Sequence, residues 1–302
     1  MLNRLISNNF FLLVILSSIW GSAFIAIKIS LFTFNPIAVA SLRLIVASVF
    51  LLIFLYLSNN KIIFEKNEIY ILIIVGVVGN FIPFFLISWA EQHIQSNIAG
   101  LLMSIGPIMT LVLAHFFTKD DKFTLIKFIS VLIGLAGTLF IIDFRNFFEL
   151  NDGSSIRLVA KVSVILAAFG YMISNIIAYN KLRKLNTLVI TTFATLFGAI
   201  FSIPFLIYYE LSNPSSVSFN STLAIIYLGL FPTAIAFQFR YHITKKSGPI
   251  FLSYVAYLIP AFAVLWGFII LNEKINYNSL IGIILVLIGV YIGQRKLMDK
   301  VA

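Results

Sequence analysis

The chain has 302 residues, 61% hydrophobic and 11% charged, against about 45–50% and 25% in soluble domains. A soluble core cannot absorb that much apolar surface, so the composition points to an all-α integral membrane protein. Cysteine is absent, which excludes disulfides, thiolate metal sites and cysteine nucleophiles, and the net charge of +10 reads as basic loops that hold membrane topology rather than as a nucleic-acid surface.

A membrane-spanning helix needs about 20 mostly apolar residues. Ten such segments follow one another, at 10–32, 37–57, 69–90, 95–117, 124–142, 158–180, 187–209, 221–243, 249–271 and 278–294. The first follows Arg4, lacks an Ala-x-Ala-type cleavage site and is long enough to span, so it reads as a helix rather than a leader. Loops are short. The longest polar stretch, Asp143 to Arg157, reads as a linker between two halves, with boundaries at 1–145, 146–157 and 158–302.

Lysine and arginine set the orientation. With the N-terminus in the cytoplasm, fifteen of the 21 basic residues fall at the inner face, Arg240 among them. Both termini are then cytoplasmic. Ten helices around a central linker make five plus five, and five is odd, so the second half is inserted upside down. Such inverted repeats are typical of secondary transporters. Gly134 and Gly137 in the fifth segment, and Gly282, Gly289 and Gly293 in the tenth, have the spacing that allows close helix contact in lipid.

The halves share a second feature. Gly79-Asn80-Phe81-Ile82-Pro83 with Gly106-Pro107 is matched by Gly229-Leu230-Phe231-Pro232 with Ile259-Pro260. Proline removes a backbone donor, and in lipid the freed carbonyl must find a neighbour or face a cavity. Paired breaks in corresponding segments point to a substrate site. Pro83, Pro107, Pro232 and Pro260 are thus expected to bend helices around a central cavity and to permit rocking; static kinks that only aid packing are the plainer reading.

Candidate cavity residues lie at the same depth. Trp20, Phe24, Tyr171, Tyr254 and Tyr257 offer aromatic faces and hydroxyls, although in a chain with 31 phenylalanines ordinary packing accounts for many aromatics. Asn80, Ser104 and Asn175 are polar at mid-membrane, where a polar side chain needs a partner or water. Asn80 and Ser104 each precede a proline by three residues, so either can serve a freed carbonyl instead of substrate. Arg43 lies about 9 Å inside the second helix at 1.5 Å per residue, too deep for simple snorkelling, and reads as facing protein or a vestibule, in a gating or anion-binding role or a structural one. Glu91 and His93 sit at the outer end of the third helix as a candidate proton relay, or as a solvated helix end. The histidines, His93, His115 and His242, share no metal-ligand spacing, so no metal or cofactor is expected. The one acidic pair, Asp120-Asp121, lies in a Lys-rich turn without acid/base partners, which argues against an enzyme.

At this point the residues resemble a known family. Ser18-Ile19-Trp20-Gly21-Ser22-Ala23-Phe24, Lys28, Pro36 and Ala40-Ser41-Leu42-Arg43 are similar to the first two helices of the EamA-type family of the drug/metabolite transporter superfamily. The run Trp89 to Leu102 with Pro107 is similar to that family's third-to-fourth helix junction, and Leu271-Asn272-Glu273-Lys274 with the glycine-rich tenth segment is similar to the end of its second repeat. The chain departs from the pattern at Asp120-Asp121, where Glu is usual, and at Ala168-Phe169-Gly170-Tyr171, which lacks a Trp-Gly pair. The resemblance implies a transporter of small metabolites working by alternating access, and amino acids or related zwitterions are the expected cargo, with nucleosides or other aromatic metabolites as the alternative. It carries expectations of a monomer in the bacterial inner membrane, with protons as a candidate coupling ion and no nucleic-acid partner.

Overall fold

The computed structural model describes residues 9–142, 155–212, 217–271 and 276–298, apart from 59, 61 and 63. Of the linker expected at 143–157, residues 143–154 lie outside the described residues, as do Glu273 and Lys274, while 155–157 already belong to the helix that follows. Among those described, the chain is helical throughout: α1 Asn9–Ser30, α2 Pro36–Leu57, α3 Lys66–Ala90, α4 Ser96–Phe117, α5 Leu125–Ile142, α6 Ser155–Lys181, α7 Thr187–Ser212, α8 Phe219–Ser253, α9 Val255–Leu271 and α10 Tyr277–Met298. Eight of these are long and apolar enough to cross a membrane, and Val255–Trp266 and Tyr277–Gly293 are shorter apolar stretches.

Local chemistry starts the helices where the sequence offers caps. Asn35 Oδ1 accepts from the Ala38 amide at 2.9 Å, and Pro36 sits at the first turn, where its missing N–H leaves nothing unsatisfied. Ser218 Oγ accepts from the Ser221 amide at 3.2 Å to open α8. Gly248 breaks α8 near its end with φ 86° and ψ 165°, a region open essentially to glycine alone. A Cβ there would lie 2.5 Å from Asp121 Oδ2. That carboxylate accepts from the Ile250 amide at 2.9 Å and pairs with Lys127 Nζ at 2.6 Å. The α4–α5 connection is thereby fastened to the turn that follows Gly248.

The proline positions are where the helices change form. α3 widens into a π-helical turn at Val77–Phe81, directly before Pro83, and α8 does the same at Gly229–Ile235, around Pro232. The wider turn accommodates a ring that would strike the carbonyl four residues earlier. α4 is interrupted at Ser104 and Ile105, just before Pro107. α8 gives way to α9 at Tyr254, and Pro260 lies inside α9.

Helix contacts follow one rule. α5 packs on α10 and α2 on α7; α1 packs on α8 and α9, as α6 packs on α3 and α4. Exchanging the first five helices with the last five turns these pairings into one another. The α5–α10 seam is the closest, because small residues meet there: a Cβ on Gly137 would lie 2.7 Å from the Gly282 carbonyl, and one on Gly282 would lie 2.5 Å from the Gly137 carbonyl. Glycine lets the two backbones touch, as the sequence spacing predicts. Large apolar side chains such as Phe50, Ile53, Phe54 and Leu57 of α2, and Ile200 and Phe201 of α7, face outward, as a lipid-facing surface requires.

A central cavity as candidate substrate site

Between the halves lies a cavity of about 110 Å³. Both halves wall it. Trp20 and Phe24 of α1, Arg43 of α2 and Phe84 of α3 face Tyr171 and Asn175 of α6, Phe237 and Arg240 of α8, and Ile259 of α9. Most of the lining is apolar, with a few polar groups converging on it, the usual make-up of a small-molecule site.

The helix breaks explain how those groups are placed. Gly79 is four residues before Pro83 and loses its α-helical donor to the proline. Its carbonyl accepts from Arg240 Nη1 at 3.3 Å. The equivalent carbonyl before Pro232, that of Leu228, accepts from Thr233 Oγ1 at 2.7 Å, and Thr233 Oγ1 in turn accepts from Arg43 Nε at 3.2 Å. An arginine therefore stands behind each π turn. Trp20 Nε1 donates to the Pro232 carbonyl at 2.9 Å and so anchors α1 on the second turn. The carbonyls four residues before Pro107 and Pro260 belong to Met103 and Ala256, both of which line the cavity.

Arg240 is fully buried and held on several sides. Nε donates to Asn175 Oδ1 at 2.7 Å, Nη2 to Ser174 Oγ at 2.8 Å and Nη1 also to Asn80 Oδ1 at 3.3 Å. Its guanidinium carbon lies 4.9 Å from the Phe237 ring centre, 5.1 Å from that of Tyr241 and 5.5 Å from that of Tyr171. Arg43 is 4% exposed, and its guanidinium lies 3.6 Å over the Phe84 ring. Both cations rest on aromatic faces, which attract positive charge.

Of the residues singled out from the sequence, Trp20, Phe24, Arg43, Tyr171 and Asn175 come together on this cavity. Asn80 is buried behind it as an acceptor for Arg240. Ser104 Oγ donates to the Leu101 carbonyl at 2.6 Å, within its own helix break. Tyr254 and Tyr257 belong to the α5–α9–α10 packing: the Tyr254 hydroxyl shares a 2.6 Å hydrogen bond with Ser130, and Tyr257 packs edge-on against Gly134. Pro83 presses on Gly170 of α6, where a Cβ would lie 3.2 Å from its ring.

Neither Glu91 nor His93 lines the cavity, and no hydrogen bond joins the two. The His93 ring meets that of Trp89 tilted by 60°, with 4.8 Å between centres. Glu91, one residue past α3, is 3% exposed, and neither carboxylate oxygen has a hydrogen bond of good geometry. Burial pushes its carboxyl up to about 8; the Lys28 ammonium and the Ser96 hydroxyl, which approaches without hydrogen-bond alignment, pull the other way. It is a buried helix end, not a solvated one.

Arg240 is the residue the sequence reading put elsewhere, at the inner mouth. A signal was present: it is bracketed by Phe237, Phe239 and Tyr241, an aromatic setting unlike that of a basic loop anchor. Among the described residues no group of three or more histidine, aspartate or glutamate side chains is placed to hold a metal.

Comparison with known proteins agrees with this architecture. The EamA-like transporter family matches residues 9–143 and again residues 158–293. An uncharacterized transporter of Archaeoglobus fulgidus is 28% identical over 285 residues, covering 92% of this chain and 95% of its own length. The uncharacterized transporter YoaV of Bacillus subtilis is 21% identical over 273 residues, covering 90% and 92%. A solved crystal structure superposes with a TM-score of 0.75 at 17% identity, over 95% of this chain and 97% of that one, and so shares the fold. The double family match spans nearly all of the chain, which therefore belongs to the EamA-like transporter family.

Proposed function

We propose that this membrane transporter moves a small metabolite across the bacterial inner membrane by alternating access, as ten spans in two inverted five-helix repeats, residues 1–145 and 158–302, with both termini on the basic, cytoplasmic side. The observation that carries this reading is the cavity walled by both halves beside paired π turns. Broken helices around a site at the repeat interface are the device by which such folds rock about a fixed substrate. Trp20, Phe24, Tyr171 and Asn175 contact cargo, with Arg43 at the site. Asn80, Ser104, Tyr254 and Tyr257 hold the broken helices in place. Amino acids and related zwitterions are the first cargo class, and nucleosides or other aromatic metabolites the second. The chain works as a monomer, and Glu91, with His93 two residues on, is the candidate for coupling to protons.

Counterflow into proteoliposomes tests this. A panel of amino acids, organic acids, nucleosides and amines is preloaded one at a time, and uptake of the labelled counterpart is followed. At least one class is expected to exchange well above protein-free liposomes. Exchange by none of them would remove the transporter mechanism proposed here.

A further inference from the structure

Among the described residues the cavity is lined by two cations and no anion: Arg43 and Arg240 both face it, and no aspartate or glutamate does. The ion pairs among the described residues, Lys127 with Asp121 and Arg183 with Asp120, join other cations. Every hydrogen-bond acceptor around Arg240 is neutral: Asn175, Ser174, Asn80 and the Gly79 carbonyl. These bonds take up most of its donors and leave its charge uncompensated.

Arg43 differs in one respect. It donates a single hydrogen bond, from Nε to Thr233. Its two terminal nitrogens have no hydrogen-bond partner among the described residues, although the residue is only 4% exposed. A buried cation is unfavourable unless it is paired, and the free edge of a guanidinium is shaped for a planar oxyanion, which it takes through two parallel hydrogen bonds. Phe84 beneath and Trp20, Phe24 and Ile259 around it give an apolar wall for the rest of a ligand. An ammonium group entering the same space would meet two like charges and no carboxylate.

We propose that the cargo is an organic anion, a carboxylate or similar oxyanion on an apolar body without an ammonium group, with its head group on the free edge of Arg43 and within the field of Arg240. This rests on the transport reading above and narrows it: free amino acids become poorer cargo than the anions that share their side chains.

Matched ligand sets test the charge rule independently of body shape. The 2-oxo acids of valine, leucine and phenylalanine, the amino acids themselves and their amides share a body and differ in charge. Thermal stabilisation of the purified full chain is measured for each set, followed by counterflow in proteoliposomes. Within every set the oxo acid is expected to stabilise and exchange best, the amino acid less and the amide least. Arg43→Gln is expected to weaken the oxo acid about tenfold or more, the scale of a lost charge-assisted pair, and Arg43→Lys to retain part of the binding. The Lys variant keeps the test valid should the Gln variant fold poorly. Amino acids or amides that match or exceed the oxo acids, or a preference that survives Arg43→Gln, would overturn the proposal. Exchange of amino acids or nucleosides without oxo acids removes the anion rule and leaves the transporter standing, whereas exchange of nothing removes both.

Discussion

Glu91 is a carboxylate enclosed by protein at the very end of α3, with Lys28 and Ser96 as its near neighbours. Because burial raises its pKa from the usual carboxylate value to about 8, the folded state holds a proton there that the unfolded chain has released. Its contribution to stability is full below the unfolded value and is lost as pH rises through about 8. The isosteric, neutral Glu91→Gln has no such loss. Wild type is expected to fall behind Glu91→Gln in unfolding temperature between pH 5 and pH 8, measured in detergent (roughly the interval between the reference and shifted values). Parallel pH profiles would show that the carboxyl titrates normally. In transport, a pH dependence unchanged in Glu91→Gln would remove Glu91 as the coupling group.

The element that defines this molecule is the π turn backed by an arginine. In α8 the chain of bonds runs from Arg43 Nε through Thr233 Oγ1 to the Leu228 carbonyl. Thr233→Val keeps the shape and removes both hydrogen bonds, leaving the buried Arg43 Nε–H without its acceptor. Unmet buried groups of this kind destabilise by about 1–3 kcal/mol, and a lowered unfolding temperature in Thr233→Val is the expected result; no change would mean that water already serves this N–H. The prolines were legible in the sequence because a helix avoids them. The arginine partners were not: Arg43 and Thr233 are separated by 190 residues, as Gly79 and Arg240 are by 161, and no local pattern links them.

For the molecule as a whole, alternating access requires the halves to part at one end while they meet at the other. At the basic end the halves meet through Arg183 and Asp120 at 3.0 Å, Asn180 and the Phe117 carbonyl at 2.7 Å, and Asn9 and Ser247 at 2.6 Å. The chain contains no cysteine, so cysteines placed at Asp120 and Arg183 would be unique. Bridging them with a bifunctional maleimide is expected to abolish counterflow, while the same variant labelled with a monofunctional maleimide keeps most of it. Full activity after cross-linking would show that this contact does not open during transport.

Composition and segment spacing alone determined that the chain lives in a membrane as apolar helices, because about 20 apolar residues in succession have few other stable environments. The paired prolines and the glycines of the α5–α10 seam likewise announced their effects locally: a missing N–H and a missing Cβ act wherever they occur. The cavity's chemistry was decided only by tertiary structure. Asn80, Ser104, Tyr254 and Tyr257 share depth and residue type with Trp20, Tyr171 and Asn175, yet helix rotation and packing turn the first group into supports and the second onto the cavity. Arg240, read from charge alone as a loop anchor, becomes a fully buried cation because α6 and the π turn of α3 supply its acceptors. A side chain's depth follows from counting along a helix; the direction it faces is fixed only when the other helices close around it.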